Sequence, residues 1–103
     1  MLNVYIYLDD KINAEELVQQ ILQQKLVANA SIDVDNNYYE LVDDKVEKKV
    51  HVVITAQTKG LLFKPLTDFI ERNFGKQVPV FASPLVSANF FFDQFIRNAT
   101  NKV

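Results

Sequence analysis

The sequence predicts an α+β domain of four strands and three helices, in the order β-α-β-β-α-β-α, occupying residues 1–103 as a single unit. Three observations carry this. Apolar and polar residues alternate over residues 2–9, 30–39 and 46–58. Apolar residues recur at helical spacing over residues 17–26, 62–74 and 88–99. Turn-forming residues, among them Asp9-Asp10, Asp43-Asp44, Gly60 and Gly75, separate these stretches.

The first strand sets Leu2, Val4, Ile6 and Leu8 against Asn3, Tyr5 and Tyr7, and Asp9-Asp10 ends it. Asn13 with Glu16 three residues later reads as a capping box. Glu15 and Glu16 suit the positive end of the helix dipole and Lys25 the negative end. Leu17, Val18, Ile21, Leu22 and Leu26 form the apolar stripe. Ala30–Tyr39 and Val46–Thr58 are the next two strands, and the short Asp43-Asp44 link makes them an antiparallel hairpin. After Gly60, Leu62, Leu66, Phe69, Ile70 and Phe74 mark a second helix. Pro65 falls in its first turn and Gly75 at its C-cap. Pro79–Leu85 is a short strand bracketed by prolines, hence one of limited pairing. Ser87 is placed as the cap of a last helix that turns Ala88, Phe91, Phe92, Phe95, Ile96 and Ala99 inward, with Asp93 and Arg97 paired outside. Two helices on one face of such a sheet give a ferredoxin-like βαββαβ sandwich, here with an extra C-terminal helix.

Composition excludes several functions. Cysteine is absent, which removes disulfides, thiolate nucleophiles and Cys-ligated metals and fits a cytoplasmic protein. A net charge of −2 with both signs scattered gives no field for a polyanion, so no nucleic acid is expected. No apolar run reaches the ~18 residues of a membrane span, and no membrane partner is expected. The opposite face of the sheet carries Tyr5, Tyr7, Val53 and Thr55 beside His51. That face is too apolar for an isolated subunit with helices on one side only, and an oligomer that packs sheets together would explain it.

The run Val18–Leu26 leads into Val27-Ala28-Asn29-Ala30-Ser31, followed by Tyr38-Tyr39 and Val50–Thr58. Then come Phe69-Ile70-Glu71-Arg72-Asn73, Gln77-Val78-Pro79 and a Phe-rich terminal helix. In this combination, over nearly its whole length, the chain resembles the CutA divalent-cation tolerance family. The resemblance implies a ferredoxin-like fold related to the PII signalling proteins and a homotrimer whose extended hairpins pair across subunits. It implies no enzymatic activity and no cofactor. Departures fall at positions associated with cation binding. Asn29 stands where the family often has cysteine, Glu40 where it has tryptophan, and Gln57 where it has lysine. Val78-Pro79-Val80 replaces Thr-Pro-Glu, and Asn73 and Phe74 occupy positions where some members carry histidine. The resemblance therefore implies a role in divalent metal tolerance or response without direct metal binding by these residues.

The remaining constellations read as structure. His51 is the only histidine and cannot alone build a transition-metal site. Asp33-Val34-Asp35 opens like a calcium loop, but Tyr38 stands where the sharp turn needs glycine, so the aspartates are the solvated face of a strand. Asp9-Asp10 and Asp43-Asp44 are turn carboxylates. Lys48-Lys49 protects a strand edge. No nucleophile–base pair or Gly-rich phosphate loop occurs, so no catalytic residue is expected. A cofactor-free ferredoxin-like enzyme would keep its polar group between sheet and helices, whereas His51 falls on the other face. Phe90-Phe91-Phe92 cannot all point inward, so one should face a neighbouring subunit. Tyr38 and Tyr39, with Gln57, Lys76 and Gln77, are the candidate ligand residues in an inter-subunit cleft. The partner there would be a small molecule or anion, and the second functional reading is a PII-like module binding a small nucleotide or anion.

Overall fold

The computed structural model describes residues 1–103. It contains β1 (Leu2–Leu8), α1 (Lys11–Gln23), β2 (Asn29–Val42), β3 (Lys45–Thr58), α2 (Phe63–Phe74, after a 3-10 turn at Gly60–Leu62), β4 (Val80–Pro84) and α3 (Phe90–Ala99). The four strands pair in the order β2-β3-β1-β4, antiparallel throughout. This is the predicted ferredoxin-like sandwich with its added helix.

The pleat of β1 sorts the two sides of the sheet. Val4, Ile6 and Leu8 join Val52, Ile54 and Ala56 of β3 under the helices. Ala14, Leu17 and Ile21 of α1 and Leu66, Phe69 and Ile70 of α2 close this core. Thr58 lies fully buried at its margin, and its hydroxyl donates to the Leu26 carbonyl at 2.6 Å, which replaces the lost water.

Three local readings of the sequence are corrected. Asp10, not Asn13, caps α1: its Oδ1 accepts from the Asn13 backbone N–H at 2.8 Å and its Oδ2 from Asn13 Nδ2 at 2.9 Å. Asn13 is therefore the donor, and Glu15 and Glu16 lie beyond the first turn. At the other end Lys25 takes the left-handed conformation (φ 57°). Its N–H bonds to the Leu22 carbonyl and that of Leu26 to the Ile21 carbonyl, both at 3.0 Å, a Schellman closure made without glycine. In α3, Asn89 rather than Ser87 is the cap, accepting from Phe92 N–H at 2.9 Å. Ala88 therefore precedes the helix, and only one side of so short a helix is covered: Ile96 is buried, but Phe91 (77% exposed) and Phe95 (39%) look outward. The Asp93–Arg97 pair forms as expected, at 2.9 Å.

The β2–β3 hairpin is longer than the sheet it belongs to. The last residue of β1, Leu8, pairs with Val52, so β3 from His51 back to Lys45 has only β2 beside it. Asp43 and Asp44 both take positive φ (49° and 65°), as a two-residue turn of matching twist requires. A bulge lies between Asp33, opposite Val53, and Asn36, opposite His51. One extra residue in β2 exchanges its faces beyond that point. Tyr39, Leu41, Val46 and Val50 project from the unsupported ribbon and are more than half exposed. The chain measures 46 × 28 × 21 Å and exposes 6726 Å². A compact monomer of this mass would expose about 5,900 Å².

Replacing Asp10 by Ala should lower stability by about 1 kcal/mol, and replacing Asn13 by Ala by clearly less, because the cap is the aspartate. Lys25→Gly should raise stability, by up to about 1 kcal/mol, through relief of the left-handed conformation. Urea unfolding of the three variants checks both; a larger loss in Asn13→Ala than in Asp10→Ala would contradict the capping geometry.

Candidate functional site

The helix-free face of the sheet carries a continuous aromatic band. Tyr5 and Tyr7 of β1 reach it by alternation, and the pairing Tyr5↔Phe81 brings in β4. Tyr5 stacks on Phe81 with ring centroids 5.0 Å apart, and Tyr7 meets Phe81 edge-on at 5.4 Å. The band continues through His51 of β3, 5.3 Å from Tyr7, to Tyr38 of β2, which stacks on His51 at 4.5 Å. Offset and edge contacts of this kind contribute about 0.5–1.5 kcal/mol per pair beyond burial.

At the Tyr7 end the band becomes the floor of a groove of about 750 Å³. One wall is the hairpin, with Tyr38, Glu40, Lys49 and His51. The other is the turn after α2 and the start of β4, with Phe74, Lys76, Gln77 and Pro79. Asp9, Asp10 and Asn13 close the end. Lys49 Nζ sits 2.8 Å from Glu40 Oε1. That hydrogen bond, reinforced by the charge of the same carboxylate, raises the Lys49 pKa above its ordinary 10.5. Lys76, mostly exposed, lies 3.9 Å from Glu71. The backbone N–H groups of Lys76 and Gln77 have no backbone acceptor. His51 lines the groove, and its Nδ1 is shielded from solvent and has no hydrogen-bond partner.

Of the five candidate ligand residues, Tyr38, Lys76 and Gln77 come together in this groove. Tyr39 projects from the other face of the hairpin, 60% exposed. Gln57 lies about 20 Å along β3 from His51. There its side chain donates to Asn3 Oδ1 at 2.9 Å, and its backbone N–H to Asn29 Oδ1 at 3.0 Å. Lys49 and Glu40 belong to the groove although neither was singled out as a ligand residue. Two-residue alternation already placed Lys49 on the face of His51 and Tyr7, which was the available signal. Lys48, its neighbour, stands on the other face opposite Tyr39.

A sequence profile of the CutA1 divalent ion tolerance protein family matches residues 2–99. The chain belongs to this family. A search of curated proteins finds no match. Among solved structures, CutA1 from Oryza sativa superposes with a TM-score of 0.91 at 21% identity, covering 99% of this chain and 94% of the other. A single-residue variant of CutA1 from Pyrococcus horikoshii OT3 gives 0.89 at 20% identity, covering 99% and 100%. The protein described as the periplasmic divalent cation tolerance protein CutA from Archaeoglobus fulgidus gives 0.85 at 20%, covering 96% and 98%. At this identity the likeness establishes the CutA1 fold. It does not transfer ligands.

The cation in the CutA1 family's description can be tested against the residues present. No group of three or more His, Cys, Asp or Glu side chains comes together anywhere in the chain. In the groove, both carboxylate oxygens of Asp10 are held by Asn13 and Glu40 is held by Lys49, so that Asp9 is the one carboxylate there without a partner. The single chain does not fit a transition-metal centre, which asks for several converging soft or imidazole ligands.

In Glu40→Gln, the Lys49 titration should fall back toward 10.5, read from the side-chain NMR shifts. The folded pKa lies above the unfolded one. The stabilisation linked to the Lys49 proton is therefore complete below pH 10.5 and is lost as pH rises through the folded value. Unfolding near neutral pH should show no pH dependence traceable to Lys49.

Proposed function

We propose that this CutA1 chain works as a non-enzymatic, cytoplasmic homotrimer in divalent metal ion tolerance or response, acting through assembly and ligand binding rather than by holding the metal in its own side chains. The observation that carries the reading is the aromatic band from Phe81 through Tyr5, Tyr7 and His51 to Tyr38, which no element of its own chain covers. Apolar surface of that extent on a sheet face calls for a second layer, and a second copy offers the same surface. The exposed area above that of a compact monomer and the ribbon projecting from the sheet support the same conclusion. The role in metal response comes from the family and from relatives described as divalent cation tolerance proteins. Cytoplasmic placement rests on the absence of cysteine, and no helix is long and apolar enough to cross a membrane.

A second reading, a PII-like module for a small nucleotide or anion, is favoured by one feature of the groove. Lys76 and Gln77, whose backbone N–H groups have no backbone acceptor, line the same aromatic-floored groove as Lys49 and His51. Such an arrangement offers donors to an anion and ring faces to a base. Tyr38, Lys76 and Gln77 are the proposed contacts. Tyr39 and Gln57 would join them only if another subunit brings them near.

Light scattering at micromolar concentration should give three times 11.9 kDa. Tyr7→Asp, which sets a carboxylate in the middle of the band, should give the monomer mass with an unchanged circular dichroism spectrum. A wild-type monomer would remove the reading. For the groove, a ligand at a hundredfold excess over its Kd should stabilise the fold by about 2.7 kcal/mol. A melting-temperature screen with adenine nucleotides and inorganic phosphate tests this; no shift with any of them would leave the assembly reading alone.

A further inference from the structure

Charge in the groove at the end of β1 is not arranged for a strongly anionic guest. The lining holds three carboxylates, Asp9, Asp10 and Glu40, against two ammonium groups, Lys49 and Lys76. Each of these but one is engaged: Glu40 holds Lys49 at 2.8 Å, Glu71 stands 3.9 Å from Lys76, and Asn13 occupies Asp10. The exception is Asp9, exposed and without a partner. Its charge reaches across the groove. Lys49, whose pKa is raised chiefly by the hydrogen bond to Glu40, also feels the more distant Asp9. A triphosphate entering here would meet more negative than positive charge, and like charges oppose binding.

The free carboxylate has free donors beside it. Asp9 continues the alternation of Tyr5 and Tyr7 and so stands at the end of the aromatic floor. The chain entering β4 runs alongside. Tyr7 N–H bonds to the Pro79 carbonyl at 3.1 Å, and the antiparallel register continued past that bond sets Asp9 next to Gln77. The backbone N–H groups of Gln77 and Lys76 have no backbone acceptor, and the Lys76 ammonium group is mostly exposed. The rings of Tyr7, Tyr38 and Phe81 line the same space, Tyr7 touching both of the others edge-on. A volume of about 750 Å³ lies within the usual range for small-molecule sites.

We infer that this groove binds a free aromatic α-amino acid in its zwitterionic form. Asp9 accepts from the ammonium group of the ligand. The N–H groups of Lys76 and Gln77, with the Lys76 side chain, take its carboxylate, and its ring lies against Tyr7, Tyr38 and Phe81. An α-amino acid carries its two charges on neighbouring carbons, which suits an acceptor and donors on neighbouring chain segments. Charge-assisted bonds of both signs fix the orientation, and the rings select an aromatic side chain over an aliphatic one. A guest without net charge meets no repulsion from the lining, and both of its charged groups find partners there. The inference rests on the ligand-groove reading proposed above and narrows it, from an anion to a zwitterion with an aromatic body.

Calorimetric titration of the full chain tests this with compounds that differ by one group each. L-Tryptophan is the complete zwitterion. Tryptamine lacks the carboxylate, indole-3-propionate lacks the ammonium group, and L-leucine lacks the ring. L-Tryptophan should bind about tenfold or more tightly than any of the other three, since each omission leaves a charged or aromatic partner unused. Asp9→Asn changes one exposed side chain that has no partner to lose, and circular dichroism should show it folded. It should weaken L-tryptophan and tryptamine by about tenfold and leave indole-3-propionate unchanged. Unchanged affinity of this variant for L-tryptophan would overturn the inference. Adenosine monophosphate separates it from the broader reading. If that nucleotide or indole-3-propionate binds and L-tryptophan binds no better, the zwitterion is wrong while the anion groove stands. If none of these compounds binds, both fail.

Discussion

Strand β1 is held between β3 and β4, and both sides of the domain are organised around it. Its seven residues alternate strictly. Val4, Ile6 and Leu8 meet the residues of α1 and α2, and Tyr5 and Tyr7 meet Phe81 and His51 on the side without helices. A strand buried through one face and aromatic on the other commits the domain to a two-sided sheet, while the chain supplies helices for one side. The length of β1 matters as well. Because it stops opposite Val52, the hairpin continues without a third strand or a helix beneath it. A two-stranded ribbon is at best marginally stable by itself in water. Its persistence as far as Asp43-Asp44 places a further demand for cover on whatever packs against it.

The groove arises where these constraints meet. It forms at the end of β1, where the hairpin has left the sheet and the turn after α2 comes back toward Pro79, whose carbonyl accepts from Tyr7 N–H at 3.1 Å. The lining is mixed in character. Aromatic rings make the floor, a hydrogen-bonded Lys49–Glu40 pair lies on one side, and Lys76 with free backbone donors lies on the other. Of the groove's three carboxylates, Asp10 caps a helix and Glu40 holds a lysine, which leaves Asp9 alone without a partner, too few for a cation centre. Asn29 braces β3 by accepting from Gln57 N–H at 3.0 Å.

Agreement with CutA1 structures at TM-scores of 0.85 to 0.91 and near 20% identity has a simple physical basis. The fold depends on which positions are apolar and on the period at which they recur, and hydrophobic exchange at roughly constant volume preserves both. Surface chemistry is under no such restraint. Fold and family can therefore persist while the donors around a groove change, and the ligand has to be argued from the groove itself.

The sequence by itself determined the element order, the hairpin, the apolar faces of β1 and β3, the second helix with its glycine stop, and the conflict between a two-faced sheet and helices on one side. All of these follow from local periodicity and turn chemistry, which need no knowledge of distant residues. Tertiary structure decided the rest. A one-residue bulge between Asp33 and Asn36 set which of two adjacent tyrosines enters the groove, since a shift of one residue exchanges the faces of a strand. Docking of the chain end at Lys25 and Lys59 settled which phenylalanines of α3 are left in water. Alternation says that a side chain lies on a face. Only the pairing of strands and the packing of helix ends say which face that is and what stands opposite it.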